Sequence, residues 1–224
     1  MTVCLMLHGL GAPPSSIGTE ERPYWATLHQ WQMIMSLAPH CAVEITIDDG
    51  NKSDVEIALP ALRSVGMRAT FFIPSDRLGA GPHYLTEDDV RLLHRSGMEI
   101  GSHGCAHLHW TKLPNDSIVN DITCSIKRLS AITGATVRSV AIPFGDFDRR
   151  VLGVLRSLGV GRVYTSLHGP DSGNGWIVRR DCIRNRMSDE DITTLMTDRP
   201  SLPIEAIAFL RTLRHAGRAA LWHA

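Results

Sequence analysis

The chain of 224 residues is predicted to be an α/β protein, built as a closed or nearly closed (β/α) barrel of seven or eight parallel strands. Three observations carry that expectation. Short apolar runs recur along the chain; helical stretches separate most of them; and the polar motifs fall just after the ends of strands. Strands joined through helices of this length pair in parallel by right-handed crossovers. In a barrel of that kind chemistry gathers on the loops that follow the strands. An open doubly wound sheet is the alternative architecture.

Taken in order, the run 3–7 in MTVCLMLHGLG has no basic lead and is too short for a membrane span or a secretory apolar region, so it reads as a buried strand. On that ground the protein is expected in the cytoplasm, with no transmembrane segment. A helix is expected over 24–37, a strand over 43–47, and a helix over 54–65 kinked at Pro60. Strand 69–73 precedes a helix over 87–95, for which Thr86 is the N-cap, Asp89 the acid three residues on, and Gly97 the terminator. Strand 99–102, helix 116–133 closing at Gly134, strand 139–142 and helix 147–158 closing at Gly159 follow. Strands 162–166 and 176–178 come next, then a short helix capped by Ser188, a helix over 203–215 before Gly217, and a strand over 219–222. With 43% hydrophobic residues the whole of 1–224 can bury a core as one unit, hiding roughly 70–75% of its unfolded surface.

Charge excludes one class of partner. Lys plus Arg and Asp plus Glu both number 23, so no net field attracts nucleic acid. The five cysteines form no CxxC pair and no disulfide-like framework, which suits a reducing compartment.

Three stretches carry chemistry. EITIDDG, 44–50, ends a strand on adjacent Asp48 and Asp49, whose like charges repel unless something positive stands beside them. EIGSHGCAHLHW, 99–110, holds His103 and His107 four residues apart, close enough to bind one ion on one face of a helical turn. Two imidazoles and a carboxylate from Asp49 or Asp48 would make a facial ligand set with positions open to water and substrate. SVAIPFGDFD, 139–148, ends a strand on Pro143, Phe144 and Gly145, with Asp146 or Asp148 capping the helix beyond. Spacing alone is weak, since eleven histidines produce chance pairs. What raises the signal is that all three stretches meet on one rim.

Together the three resemble the polysaccharide deacetylases of the NodB homology type, carbohydrate esterase family 4. TIDDG (46–50), HGCAH (103–107) and PFG (143–145) stand in that family's order and separation, and LPALRSVGMRATFFIP (59–74) is similar to its helix and strand after the first motif. The resemblance covers roughly 43–165 and implies a distorted (β/α) barrel, one divalent metal, usually zinc, and hydrolysis of an N-acetyl group on a sugar, oligosaccharide or glycoconjugate. It implies Asp49, His103 and His107 as metal ligands, Asp48 as general base, and the backbone N–H of Phe144 as a donor to the oxyanion.

Three departures accompany the likeness. Gly104 stands where the family carries Ser or Thr, so a hydroxyl that tethers the loop is missing and the site should loosen slightly. Ala141 stands where many members carry an Arg that orients the base, and Arg179 or Arg180 of WIVRRD is the candidate replacement. The family's proton-donating histidine lies in a late L-x-H pattern; LWH offers His223, and SLHG offers His168. Pro143, His168, Arg180 and His8 are the candidates for lining the substrate pocket, whereas His109, His83 and Trp110 read as loop or rim residues. Two other functions fit the same sequence: amide cleavage on a non-sugar such as a cyclic ureide, and a catalytically inactive sugar-binding barrel.

Overall fold

The computed structural model describes residues 2–169 and 175–197, and these follow the expected strand–helix alternation. Strand β1 (Val3–Leu7) is followed by β2 (Gly9–Leu10), which pairs with β3 (Trp25–Ala26) ahead of helix α1 (Leu28–Leu37). The helix therefore starts later than 24. Trp25 and Ala26 are held extended by their pairing, and Thr27 and Gln30 exchange side-chain and backbone hydrogen bonds as a capping box.

β4 (Val43–Asp48) leads to a π-wound turn over Asp54–Ala58 and then α2 (Leu59–Ser64). Pro60 lies in the first turn of α2, where its missing N–H has no helical partner to lose, so the irregularity sits upstream of it. β5 (Thr70–Ile73) and α3 (Glu87–Arg95) come next, the latter capped by Thr86 and Asp89 as expected. β6 (Glu99–Ser102) and α4 (Asn115–Thr133) follow, and Gly134 ends α4 at a φ of 72°. After β7 (Ser139–Ala141), Asp148 caps α5 (Arg149–Ser157) by accepting from the Val151 N–H at 2.8 Å. β8 (Arg162–Tyr164), β9 (Ile177–Val178), β10 (Asp181–Cys182) and α6 (Asp189–Thr197) complete the described chain. Ser188 and Asp191 cap α6 reciprocally. The expected helix over 203–215 and strand over 219–222 lie outside the described residues.

The main sheet is entirely parallel, in the order β10-β1-β4-β5-β6-β7-β8-β9. Its two edges, β9 and β10, are successive in sequence and only Arg179 and Arg180 separate them. One extended segment thus pairs first with β8 and then with β1, closing the sheet into a distorted barrel with seven strand positions. No ladder pairs β9 with β10 across that seam.

Alternation sorts the strand residues between two apolar regions. Leu5, Leu7, Ile45, Ile47, Phe71 and Ile73 belong to the larger core shared with the helices. Cys4, Phe72, Ala141, Tyr164 and Val178 form a small separate cluster. Among the described residues no helix is long and apolar enough to cross a membrane.

Asp54, in the π-wound turn, is fully buried, and neither carboxyl oxygen has a hydrogen-bond partner among the described residues. Burial, helped by the charges of Asp49 and Asp48, pushes its carboxyl well above the usual range. The folded state therefore keeps a proton that the unfolded chain releases near pH ~3.9, and stability falls as pH rises above that value. Asp54→Asn is expected to raise the urea midpoint at pH 7 and to match the wild type below about pH 4. Equal midpoints at pH 7 would refute this assignment.

Candidate active site

β4 delivers Asp48 to the end of the barrel, and the chain turns there on Asp49. Asp49, His107 and Phe144 have φ of 80°, 53° and 60°, and they are the non-glycine residues with positive φ among those described. Such backbone costs of order 1–3 kcal/mol per residue and persists where the surroundings enforce it. All three line one cavity of about 420 Å³, together with Asp48 and His103.

One potential ligand atom each from Asp49, His103 and His107 lies within 4.8 Å of the others. Asp49 Oδ1 is 3.3 Å from His107 Nε2 and 3.9 Å from His103 Nε2. His103 Nδ1 is 2.9 Å from the Ala141 carbonyl oxygen. A proton on Nδ1 donates there, leaving the Nε2 lone pair aimed at the acids. Asp49 Oδ1 is buried and makes no hydrogen bond among the described residues, although Arg77 Nη1 is 3.0 Å away in an ion pair.

The protonation states suit ligation. Burial, assisted by His103, brings the His107 imidazole down to about 3, and burial also lowers His103. Burial opposes ionisation of Asp49, but the positive field of His8 and its neighbours outweighs it and holds the carboxyl at about 2. Two neutral imidazoles and a carboxylate at neutral pH are a donor set that fits a divalent cation.

Asp48 faces a different partner. Arg180 Nη1 and Nη2 donate to its two oxygens at 2.7 and 2.8 Å, with both side chains 1% exposed. The same guanidinium donates to Thr46 Oγ1 and to the Thr165 carbonyl. Its centre lies 5.4 Å from the Phe72 ring and 5.9 Å from the Tyr164 ring, above the small cluster that includes Ala141. An arginine thus reaches Asp48 from the β9–β10 link, while β7 contributes only the alanine.

The other candidates divide. His168 lines the cavity with its ring exposed, and its Nδ1 is 2.9 Å from Asp181 Oδ1. His8 lines it from the exit of β1; burial opposes its charge, but a hydrogen bond to Cys182 and the nearby Asp49 and Asp48 raise it to about 9. Phe144 is 54% exposed and stacks on His109 at 3.8 Å between ring centroids. Pro143 and Arg180 do not belong to the cavity lining: Pro143 is buried in its turn and Arg180 is engaged by Asp48. His223 lies outside the described residues. Trp110 is fully buried, in keeping with a packing role.

The sequence alone does not single out Arg77, Asp121 and Asp181. Arg77 follows β5 on the functional rim and Asp181 adjoins Arg180, so both were open to the rim rule. Asp121 lies within α4 and reaches the loop between the two histidines, which no spacing announces. Nor is that loop slack despite Gly104, since Asp121 bonds it where a hydroxyl is lacking.

The sequence profile of the family described as polysaccharide deacetylase matches residues 38–163. Chitin deacetylase 1 of Cryptococcus neoformans is 26% identical over 116 residues, covering 52% of this chain and 24% of that protein. Chitin deacetylase 2 of Saccharomyces cerevisiae is 27% identical over 116 residues, covering 51% and 34% respectively. The matches thus span no more than about a third of either fungal protein's length. Among solved structures, the Streptococcus pyogenes deacetylase PplD in complex with acetate superposes with a TM-score of 0.73 at 18% identity, covering 88% of this chain and 98% of that one. A polysaccharide deacetylase from Bacillus cereus gives 0.72 at 17% identity, covering 87% and 68%. At such identities these likenesses show the fold.

Proposed function

Since the chain belongs to the polysaccharide deacetylase family, we propose that it hydrolyses the N-acetyl group of an amino sugar or glycoconjugate, with a divalent cation held by Asp49, His103 and His107. Zinc, the ion the family resemblance implies, accepts two imidazoles and a carboxylate in catalytic sites. The observation that carries this reading is the buried Asp48–Arg180 pair beside that ligand group. A carboxylate gripped on both oxygens within a cavity is an oriented base with its charge compensated. When bound, the cation would supply Lewis acidity towards the acetamide carbonyl and towards water.

The chain's own residues supply the rest. Asp48 accepts the proton of the attacking water. The backbone N–H of Phe144, by family resemblance, donates to the developing oxyanion. The leaving amine needs a proton, and His168 is our candidate donor: Asp181 engages its Nδ1 and leaves Nε2 for the substrate side. Phe144 and Tyr24 offer aromatic surface to a sugar ring. The relatives named chitin deacetylase point to N-acetylglucosamine oligomers as the first substrates to try. All five cysteines are free thiols, which favours a reducing compartment.

Zinc-loaded protein is expected to release acetate from N-acetylated chito-oligosaccharides. Asp48→Asn should lower kcat by roughly 10²–10⁴-fold while zinc stoichiometry is unchanged. Binding of the sugars with no acetate released would decide for an inert sugar-binding barrel, and turnover confined to cyclic ureides would decide for the non-sugar amidase.

A further inference from the structure

In the loop from His103 to His107, all three N–H groups of residues 104–106 and two of their carbonyls have partners. Gly104 N–H donates to Ser102 Oγ, and its carbonyl accepts from Ser75 N–H. The Cys105 carbonyl accepts from Asp76 N–H. The two amides still unassigned, Cys105 N–H and Ala106 N–H, both donate to Asp121 Oδ1 at 3.1 Å. Asp121 Oδ2 accepts from Trp110 Nε1 at 2.9 Å, just beyond the loop. The carboxylate is 8% exposed. Its charge is therefore met by three N–H donors, two of them from the loop that carries His107.

Gly104 is the counterpart of this arrangement. Its φ is +75°, and a Cβ there would stand 2.3 Å from Asp121 Oδ2. The carboxylate thus approaches the loop only because residue 104 has no side chain. Immediately downstream His107 is held at a φ of 53°, which brings its ring centroid to 4.8 Å from that of His103. A residue with so strained a backbone needs its preceding peptides anchored, and Asp121 anchors the two amides nearest to it.

We propose that Asp121, reaching out of α4, is the positioning residue of the metal centre: it sets where His107 stands relative to His103 and thereby the affinity for the cation. This inference rests on the metal-hydrolase reading above. It assigns to a helix carboxylate the tether that relatives with Ser or Thr at position 104 place inside the loop.

The test compares wild type, Asp121→Ala and Asp121→Asn by zinc affinity in chelator competition, by the visible spectrum of the cobalt-loaded protein, and by thermal unfolding without metal. Asn can accept from the two loop amides but turns an NH₂ towards Trp110 Nε1, so it serves as the milder variant if Asp121→Ala does not fold. The expected result is a cooperative unfolding transition, zinc affinity lowered ~10–100-fold, and altered cobalt bands. Folded variants with wild-type zinc affinity and an unchanged cobalt spectrum would overturn the inference alone. Wild-type protein that takes up neither zinc nor cobalt would overturn the metal reading and this inference with it.

Discussion

His103→Ala protein is expected to purify with well under one zinc ion per chain and to release no measurable acetate. His103 is 2% exposed and is the better anchored of the two imidazoles, because its Nδ1 is tied to the Ala141 carbonyl while Nε2 faces the acids. On the proposed ligand set, alanine leaves only Asp49 and His107, too few for the tetrahedral sites zinc prefers. The loss should exceed that of Asp48→Asn, which spares the ligands. Elemental analysis of the purified protein beside an acetate assay decides the matter. Full zinc occupancy in the variant would refute the ligand assignment.

Arg180→Ala should be destabilised by about 3–5 kcal/mol and should lose most of its turnover. Removing one member of a buried pair strands the other, and Asp48, itself 1% exposed, has no second cation in hydrogen-bond contact among the described residues. The same change releases Thr46 Oγ1 and the Thr165 carbonyl from their shared donor. Lysine is not expected to rescue, since a single ammonium cannot meet both oxygens of Asp48 in the forked geometry. Adding Asp48→Asn to an Arg180→Met background should recover part of the stability and none of the activity, because the stranded charge is gone but so is the proposed base. Urea denaturation read beside steady-state kinetics separates the two effects. An Arg180→Ala protein as stable and as active as the wild type would remove Asp48 from its assigned role.

Much of this architecture is legible in the residues alone. Parallel strands buried on both faces leave continuous apolar runs, and the N-caps at Thr86 and Ser188 are local chemistry that the residues announce themselves. The acids of TIDDG and the histidines of HGCAH were legible because each motif is contiguous and follows a strand. The misses have a common physical origin in partners distant along the chain. Trp25 and Ala26 extend only because Gly9 and Leu10 are there to pair with them, so a helical reading was natural. β10 exists by pairing with β1, some 175 residues earlier in the chain, and its two residues carry no apolar run. Between Arg179 and Arg180 sequence offered no choice; the direction of one side chain through the barrel makes it. Asp121 is polar on a mostly polar helix, and only the docked loop reveals what it holds.

The seam between β9 and β10 also orders events during synthesis. Asp49, His103 and His107 all leave the ribosome well before the segment that carries Arg180, and domains fold broadly from the N-terminus as they emerge. If Asp49, His103 and His107 hold a cation as proposed, a nascent chain presents those three residues while Asp48 still lacks its guanidinium partner. On the proposed reading, emergence of the β9–β10 segment is the step that pairs Asp48 with Arg180, and truncation before residue 177 would remove that pairing.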